Sequence, residues 1–438
     1  MMDAAPNAIQ PYLDALRAAG PTLPGAGLPW LDALRAAGAE RFRAAGFPGP
    51  RVEAWKYTNL RPLEKQRFAP AAAVAAVGVD ALPTVAADGA TPLRLVFVDG
   101  RHRPELSSAG GLPAGATLES LADALARDPA GVEALLGRTA APDGLPLVAL
   151  NTAFVAEGAV LRVRRGTVVE QPVELVFVGT GNGAAWHPRL LVQVEDNAEA
   201  TLVEHHVGRG DGAYFSNVAT EITVGQGAVL RHYKVQEEGM GAFHLATTTA
   251  KLGRDSTYDT FVLTTGARLS RNEIHARLDG TGVTCRVSGA YTVRGEQHTD
   301  FTSLIDHAQP RCTSREVVKG AIDGRARAVF QGKIVVRPDA QKTDGYQLNR
   351  ALLLSDQAEI DSKPELEIYA DDVKCSHGAT AGELDDDALF YLRARGIPLE
   401  EARGLLIASF LDEAVEEIGV EPVREHFRAR INAWLAAR

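Results

Sequence analysis

Cysteine is scarce: three in 438 residues, at positions 285, 312 and 375. An odd number spread so widely makes no disulfide framework, and a reducing cytoplasm is the simplest setting. Long apolar runs are missing too. No stretch reaches the roughly 18 apolar residues of a membrane-spanning helix, so no membrane span is expected. The opening residues, MMDAAPNAIQPYL, show no basic segment followed by an apolar one, so no secretory signal is read there. Positive charge is in deficit. Asp and Glu number 56 against 46 Lys and Arg, a formal charge of -10, which argues against a general nucleic-acid surface. No G-x-x-x-x-G-K-S/T phosphate loop occurs, so the chain is not expected to hydrolyse ATP by itself. The stretch VGTGNGAAW, 178–186, imitates a glycine-rich loop but has Ala184 at the third glycine position. Strand-like RLLVQVED follows where a helix N-terminus is needed, so it reads as a turn.

What remains is a globular composition, 45% hydrophobic and 23% charged, with length for two or three domains. Residues 1–145 read as a mostly helical region with a linker and a peripheral strand. LDALRAAG occurs at 13–20 and again at 31–38, each copy ending in a glycine suited to stop a helix. EAWKYTNLRPL, 53–63, places Trp55 and Tyr57 at a helix-to-loop junction, a docking edge for that region. Residues 69–91, rich in Ala, Val and Pro, read as a loose linker. LRLVFVDG, 93–100, is a strand ending in an Asp-Gly turn, and LESLADALA, 118–126, a short amphipathic helix.

Residues 146–375 are strand-rich, with Thr, Val and Ile dominant. Turn-then-strand units begin at Asp196, Gly225, Gly253, Gly280 and Asp323, the first three steps being 29, 28 and 27 residues and the fourth longer. A less regular sixth begins at Ser355. Such a period predicts a β-helix, whose coils must share one core because no coil buries its own inner face. A β-sandwich also spaces short strands regularly, but near-constant spacing favours the solenoid. Residues 376–438 return to helix. LDDDALFYLRARG, 384–396, carries Asp385 or Asp386 as N-cap and Gly396 as C-cap, and a second helix spans 398–419. Its apolar positions, including Leu405, Leu406, Ile407, Phe410 and Leu411, form a stripe wider than one packing face needs. The stripe meets either a partner or the chain's own body.

Among polar candidates, the histidines at 205, 206, 232, 244, 275, 298 and 307 lack zinc-site spacing. In a solenoid they would lie on successive coils, exposed or paired with Glu204 or Asp306. Cys285 reads as a buried, inert thiol. Cys312 follows His307 by five residues across a Pro310 loop, and the two could converge. Cys375 and His377 stand apart. On an extended strand, positions i and i+2 share a face, which sets thiol and imidazole side by side with α-carbons about 6.5 to 7 Å apart. Both suit iron, zinc or an iron–sulfur cluster. Two ligands are too few for a complete site, so either the pair has no metal role or the rest come from a distant coil or another subunit.

AQKTDGYQLNRALLLS (340–355), SKPELEIYADDVKCSHGATAGELD (362–385), LFYLRARGI (389–397) and WKYTNL (55–60) together resemble the SufB/SufD family of iron–sulfur cluster assembly proteins, closer to SufD than to SufB. The resemblance implies a mainly β fold, a right-handed parallel β-helix flanked by N-terminal and C-terminal α-helical regions. It implies a non-catalytic scaffold subunit of the cytoplasm, pairing with a SufB-like chain and docking a SufC-type ABC ATPase on roughly 384–418. It implies His377, with Cys375 in the same motif, as contributor to a transient iron–sulfur cluster completed by the partner. ATP would enter only through the ATPase, and a flavin only through the full complex. An exposed terminal coil would also allow the isolated chain to form a homodimer. Two other readings stand beside this one: a β-helix enzyme acting on polysaccharide, and a SufB-like principal cluster carrier. The first lacks a signal and paired carboxylates, and the second lacks a clear cysteine-centred cluster motif.

Overall fold

The computed structural model describes residues 6–71, 75–87, 89–140, 144–210 and 212–437, without the side chains of residues 6 and 7. From Gly158 the chain winds as a parallel β-solenoid in which each coil gives one strand to each of two sheets. The first coil comprises Gly158–Val163 and Val173–Gly179, the last Glu359–Ile368 and Lys374–Gly382. Eight strands stack in parallel in each sheet. Leu93–Val98 extends one sheet, in parallel with Val173–Gly179, and Ala116–Ser120 extends the other antiparallel.

In one sheet the register partners Glu199, Val229, Thr257, Thr284, Thr313, Asp344 and Lys374 recur every 27 to 31 residues. The turn before each strand carries the period. One corner position is left-handed on successive coils, at Asn197 (φ 55), Gly227 (63), Asp255 (53), Gly282 (71), Arg311 (61) and Lys342 (63). Asn, Asp and Gly adopt that conformation at least cost, so four of the six make the turn visible in the sequence. The expected unit at Asp323 leads into Arg327–Val336, a strand of the other sheet. The unit at Ser355 likewise leads into that sheet. Each coil holds two turn-then-strand units of similar texture, so the sequence alignment slipped by half a coil at its long step.

Alternate side chains point into the lumen between the sheets, where Leu202, Leu230, Tyr258, Val287, Ile305 and Phe330 form one continuous core. The outer faces are covered by the flanking helices. Tyr12, Phe42, Phe47 and Trp55 pack on Phe215, Phe243 and Leu269 of one sheet. On the other sheet, helices Leu399–Val415 and Glu421–Ala436 bring Ile407, Leu411, Phe427 and Ile431 onto Tyr233, Phe261 and Val317. Gly20 follows the end of helix Pro6–Ala19, as expected, but Gly38 does not stop its helix. Helix Pro29–Ala45 runs through it, and a Cβ there would lie 2.8 Å from the Ala149 carbonyl oxygen. Gly38 lets two helices touch. The segment 118–126 divides, with Ala116–Ser120 a strand and Leu121–Arg127 a helix capped by Ser120. Within the expected linker, 72–74 and 88 lie outside the described residues, while Leu82 and Val85 are buried on the solenoid.

The WKYTNL segment is a clamp. The Arg271 guanidinium, almost wholly buried, lies 4.1 Å from the centre of the Trp55 ring and pairs with Asp300 and, at 3.3 Å, with Glu273. The Thr58 hydroxyl donates to Asp300 and sits 3.0 Å from His298 Nε2. A buried cation that loses its place strands two carboxylates. Arg271→Ala is therefore expected to lower stability by about 3–5 kcal/mol, read as a shift of the urea unfolding midpoint. A change near zero would mean water replaces the guanidinium.

Candidate functional site at the open end of the solenoid

The last coil has no successor. Among the described residues, Lys374–Gly382 pairs only with Asp344–Leu353, and Glu359–Ile368 only with Arg327–Val336. Both strands therefore present a row of unpaired backbone groups. The two edges differ in chemistry. Glu359–Ile368 carries Glu359, Asp361, Lys363, Glu365 and Glu367 with Pro364 among them, a pattern that repels a further strand. Lys374–Gly382 reads KCSHGATAG. After Lys374 it holds only small side chains and one imidazole, with most of its length exposed.

Cys375 and His377 lie on this bare edge strand, in register with Gly345 and Gln347 of the coil below. Cys375 is half-buried and packs against the lumen core, so it faces inward. His377, two residues on, shares that face and is exposed at the lumen mouth. The thiol and the Ser314 hydroxyl both border Gly345: a Cβ there would sit 3.4 Å from Cys375 Sγ and 3.6 Å from Ser314 Oγ, ordinary contact distances. Ser314 Oγ is in turn 2.8 Å from His307 Nε2. Burial pushes the Cys375 thiol up and holds His307 down at about 4. Among the described residues no group of three or more His, Cys, Asp and Glu side chains could hold a metal ion. A thiol and an imidazole at the mouth can each donate to a soft cation, and within the described chain they form only part of a ligand set.

The other sequence candidates sit elsewhere. His205, His206, His232, His244 and His307 are fully buried, not exposed, and His275 and His298 partly so. His206 and His232 do pair with Glu204, at 2.8 and 2.6 Å, while His205 meets Glu174 at 2.9 Å and His244 meets Glu238 at 2.7 Å. Asp306 pairs with Arg337 rather than with a histidine. Cys312 and His307 do not converge, since the thiol donates to the Gly280 carbonyl and the imidazole meets Ser314. Cys285 is buried in the lumen core, which pushes its thiol far up.

Of the C-terminal stripe, Ile407 and Leu411 are fully buried on the chain's own sheet. Those two are corrections to the expected partner face. The helix presses Ile407 and Leu411 into the solenoid because the strands beneath offer Tyr233, Phe261 and Val317. Leu406 and Phe410 are half-buried, the latter under the Lys319 ammonium at 4.6 Å, and Leu405 is 49% exposed. More apolar surface stands free one helix earlier. Asp386–Ala394, capped by the Asp385 carboxylate on the Ala388 N–H, buries no residue and exposes Phe390 at 74% and Tyr391 at 56%.

Two parallel sheets wound coil on coil, with helices on both outer faces, make the chain a β-solenoid protein. Comparison with known proteins gives the family. Residues 177–410 match the family described as SUF system FeS cluster assembly, SufBD core domain, and residues 7–175 match the SufBD protein N-terminal region. An iron–sulfur cluster assembly SufBD family protein of Synechocystis is 34% identical over 87% of this chain and 86% of its own. The iron–sulfur cluster assembly protein SufD of Escherichia coli is 32% identical over 89% of this chain and 90% of its own, and that of Bacillus subtilis 33% over 64% of each. The chain belongs to the SufBD family of iron–sulfur cluster assembly proteins. No helix among the described residues is long and apolar enough to cross a membrane.

Sequence reasoning missed the polar lumen beneath the site. Glu316 and Gln347 are fully buried, and Gln347 Nε2 donates to Glu316 Oε2 at 2.6 Å. Burial raises the Glu316 carboxyl to about 7, against the hydrogen bonds it accepts. Below about pH 4.5 the group is protonated folded and unfolded alike. Between that pH and about 7 only the unfolded chain ionises it, so stability falls as pH rises and levels off above. The loss is about 3 kcal/mol at most. Glu316→Gln is expected to gain stability over the parent at pH 8 and not at pH 4.5, read by urea midpoints at both. Equal differences at the two pH values would contradict a carboxyl held neutral by burial.

Proposed function

We propose that the chain is a SufD-type scaffold subunit that pairs through strand Lys374–Gly382 with a SufB-like chain. His377 then contributes to a nascent iron–sulfur cluster built at their seam. The observation that carries this reading is the position of His377, exposed at the lumen mouth on the strand of the last coil that, beyond Lys374, lacks charged or proline guards. Strand addition to such an edge satisfies its free N–H and C=O groups and brings a second set of side chains level with the imidazole. The cluster is cargo, and Cys375 stands ready as a second donor from the same face. The partner supplies the remaining ligands.

The reading includes a SufC-type ABC ATPase, docked on the exposed side chains of Phe390, Tyr391 and Leu405 together with the half-buried Leu406 and Phe410. Helix Leu399–Val415 lies on the outer face of the same sheet that ends in Lys374–Gly382, and Asp386–Ala394 packs against that helix. A change of ATPase state that binds one arrangement of the helices better would bias the seam between open and shielded forms. The chain itself performs no chemistry beyond donating ligands, and its setting is the cytoplasm.

One paired experiment tests both surfaces. In the co-expressed complex, His377→Ala is expected to lower bound iron by about tenfold or more while both partners still co-purify. Phe390→Glu is expected to release the ATPase while the SufB-like chain stays bound. Loss of the SufB-like chain from the His377→Ala complex would make the residue architectural, and full ATPase recovery with Phe390→Glu would move the docking site elsewhere.

A further inference from the structure

Between helix Pro6–Ala19 and the first coils of the solenoid lies a cavity of about 580 Å³. A volume of that size suits a small organic molecule. None of its lining residues belongs to the last coil, so it is separate from the strand that carries Cys375 and His377. Its apolar wall is aromatic. Tyr12, Phe68, Phe154 and Trp186 line it, each more than nine-tenths buried. Ala15, Ala19, Ala69 and Ala156 also line it, and their small side chains leave the space open.

The polar groups on the wall are mostly donors. Tyr12 sets its ring edge-on against Phe42, Phe47 and Phe215, and its hydroxyl is buried with no hydrogen-bond partner among the described residues. A hydroxyl so placed costs free energy unless something bonds it. His187 stacks on Phe154 with ring centres 4.7 Å apart. The Asn217 amide nitrogen donates to the Leu147 carbonyl at 3.0 Å and lies 3.2 Å from His187 Nδ1. An amide nitrogen can only donate, so Nδ1 accepts and the ring proton sits on Nε2. Burial keeps this imidazole neutral, holding it down at about 3. Arg101 reaches the Ala71 carbonyl with one Nη at 2.6 Å and brings a positive charge to the exposed rim.

Two acids and one more imidazole complete the wall. The Asp99 carboxylate is occupied, accepting from Thr180 and Asn182, and His102 Nε2 meets Ser107 Oγ at 3.2 Å. Glu157 is different, since its Oε2 is buried without a partner. Burial and the Asp123 charge push the Glu157 carboxyl up to about 7, against the Gly158 N–H and Arg101. In its protonated form it is one more donor.

We propose that this cavity binds a small carboxylate with a flat apolar body, its oxygens accepting from the Tyr12 hydroxyl and the Arg101 guanidinium while the body lies among the aromatic side chains. Such a ligand supplies what the wall lacks: an acceptor for the unbonded hydroxyl, a counter-charge for the guanidinium, and apolar surface to cover the rings. A cationic ligand would meet Arg101 and leave the Tyr12 hydroxyl without an acceptor. The bound carboxylate also faces Glu157, so it binds best when that group is protonated, and an ionised Glu157 takes up one proton as the ligand enters.

The test titrates the full chain with 2-naphthoate by calorimetry, with 2-naphthamide and 2-naphthylmethylamine as the neutral and cationic analogues. At pH 7 the carboxylate is expected to bind about tenfold more tightly than the amide, and the amine not at all. Tyr12→Phe, which keeps the ring, and Arg101→Gln are each expected to weaken 2-naphthoate about tenfold. Glu157→Gln, neutral at every pH, is expected to bind it about tenfold more tightly than the parent does at pH 8. Circular dichroism checks that each variant folds, and Arg101→Gln, at an exposed position, decides if Tyr12→Phe does not. No binding of 2-naphthoate, an equal or higher affinity for either analogue, or an unchanged affinity in any folded variant overturns the proposal.

Discussion

Backbone N–H and C=O groups must find partners, and in a stacked solenoid each coil finds them on the coils above and below. Through seven coils this chain meets the demand from within. At the eighth, among the described residues, it does not, and two strands end with one edge each unpaired. The sequence treats them in opposite ways. Glu359–Ile368 is guarded by charges and Pro364, which deter pairing. Lys374–Gly382 is left small and bare beyond its lysine, and it is the strand that holds Cys375 and His377. The guard on one edge leaves the other as the place where a further strand can add, and the proposed docking surface follows from this asymmetry.

The lumen repeats that theme in its side chains. Most inward positions are Val, Leu, Ile, Ala or aromatic, and the coils stack on a dry core. Polar groups enter in two places. Deep inside, Glu204 gathers His206 and His232 while Glu238 holds His244, and the neighbouring Lys234 ammonium is pulled down by burial. Those groups largely satisfy one another. Near the mouth, Glu316 and Gln347 leave acceptor oxygens unused. The first network pairs its carboxylates with imidazoles within the chain, and both networks leave some buried polar atoms without a partner.

Much of this architecture was legible in the sequence because local chemistry and global fold agree. Asn197, Gly227, Asp255 and Gly282 mark left-handed corners with residues that favour them, so the coil length could be read. Arg311 and Lys342 fill the same corner with residues that give no such sign, and there the repeat was lost. The i, i+2 relation of Cys375 and His377 followed from strand geometry alone. Their place on a terminal edge did not, since only the stack shows that no coil follows. The lumen histidines were hidden for a similar reason: burial beside Glu204 or Glu238 depends on which face each strand turns inward. Gly38 looked like a helix stop because a close helix crossing has no local signature. The stripe on Leu399–Val415 was visible, but which of its side chains stay free was decided by the sheet beneath it.

The measurement that bears most directly on the account is amide hydrogen exchange across residues 374–382, compared between the free chain and the proposed complex with a SufB-like chain. Outward N–H groups of an unpaired edge exchange quickly, and strand addition protects them. The account predicts exchange slowed by about tenfold or more in this segment on complex formation. Equal exchange in the free and bound chain, with protection arising elsewhere, would contradict the claim that the bare edge is the seam.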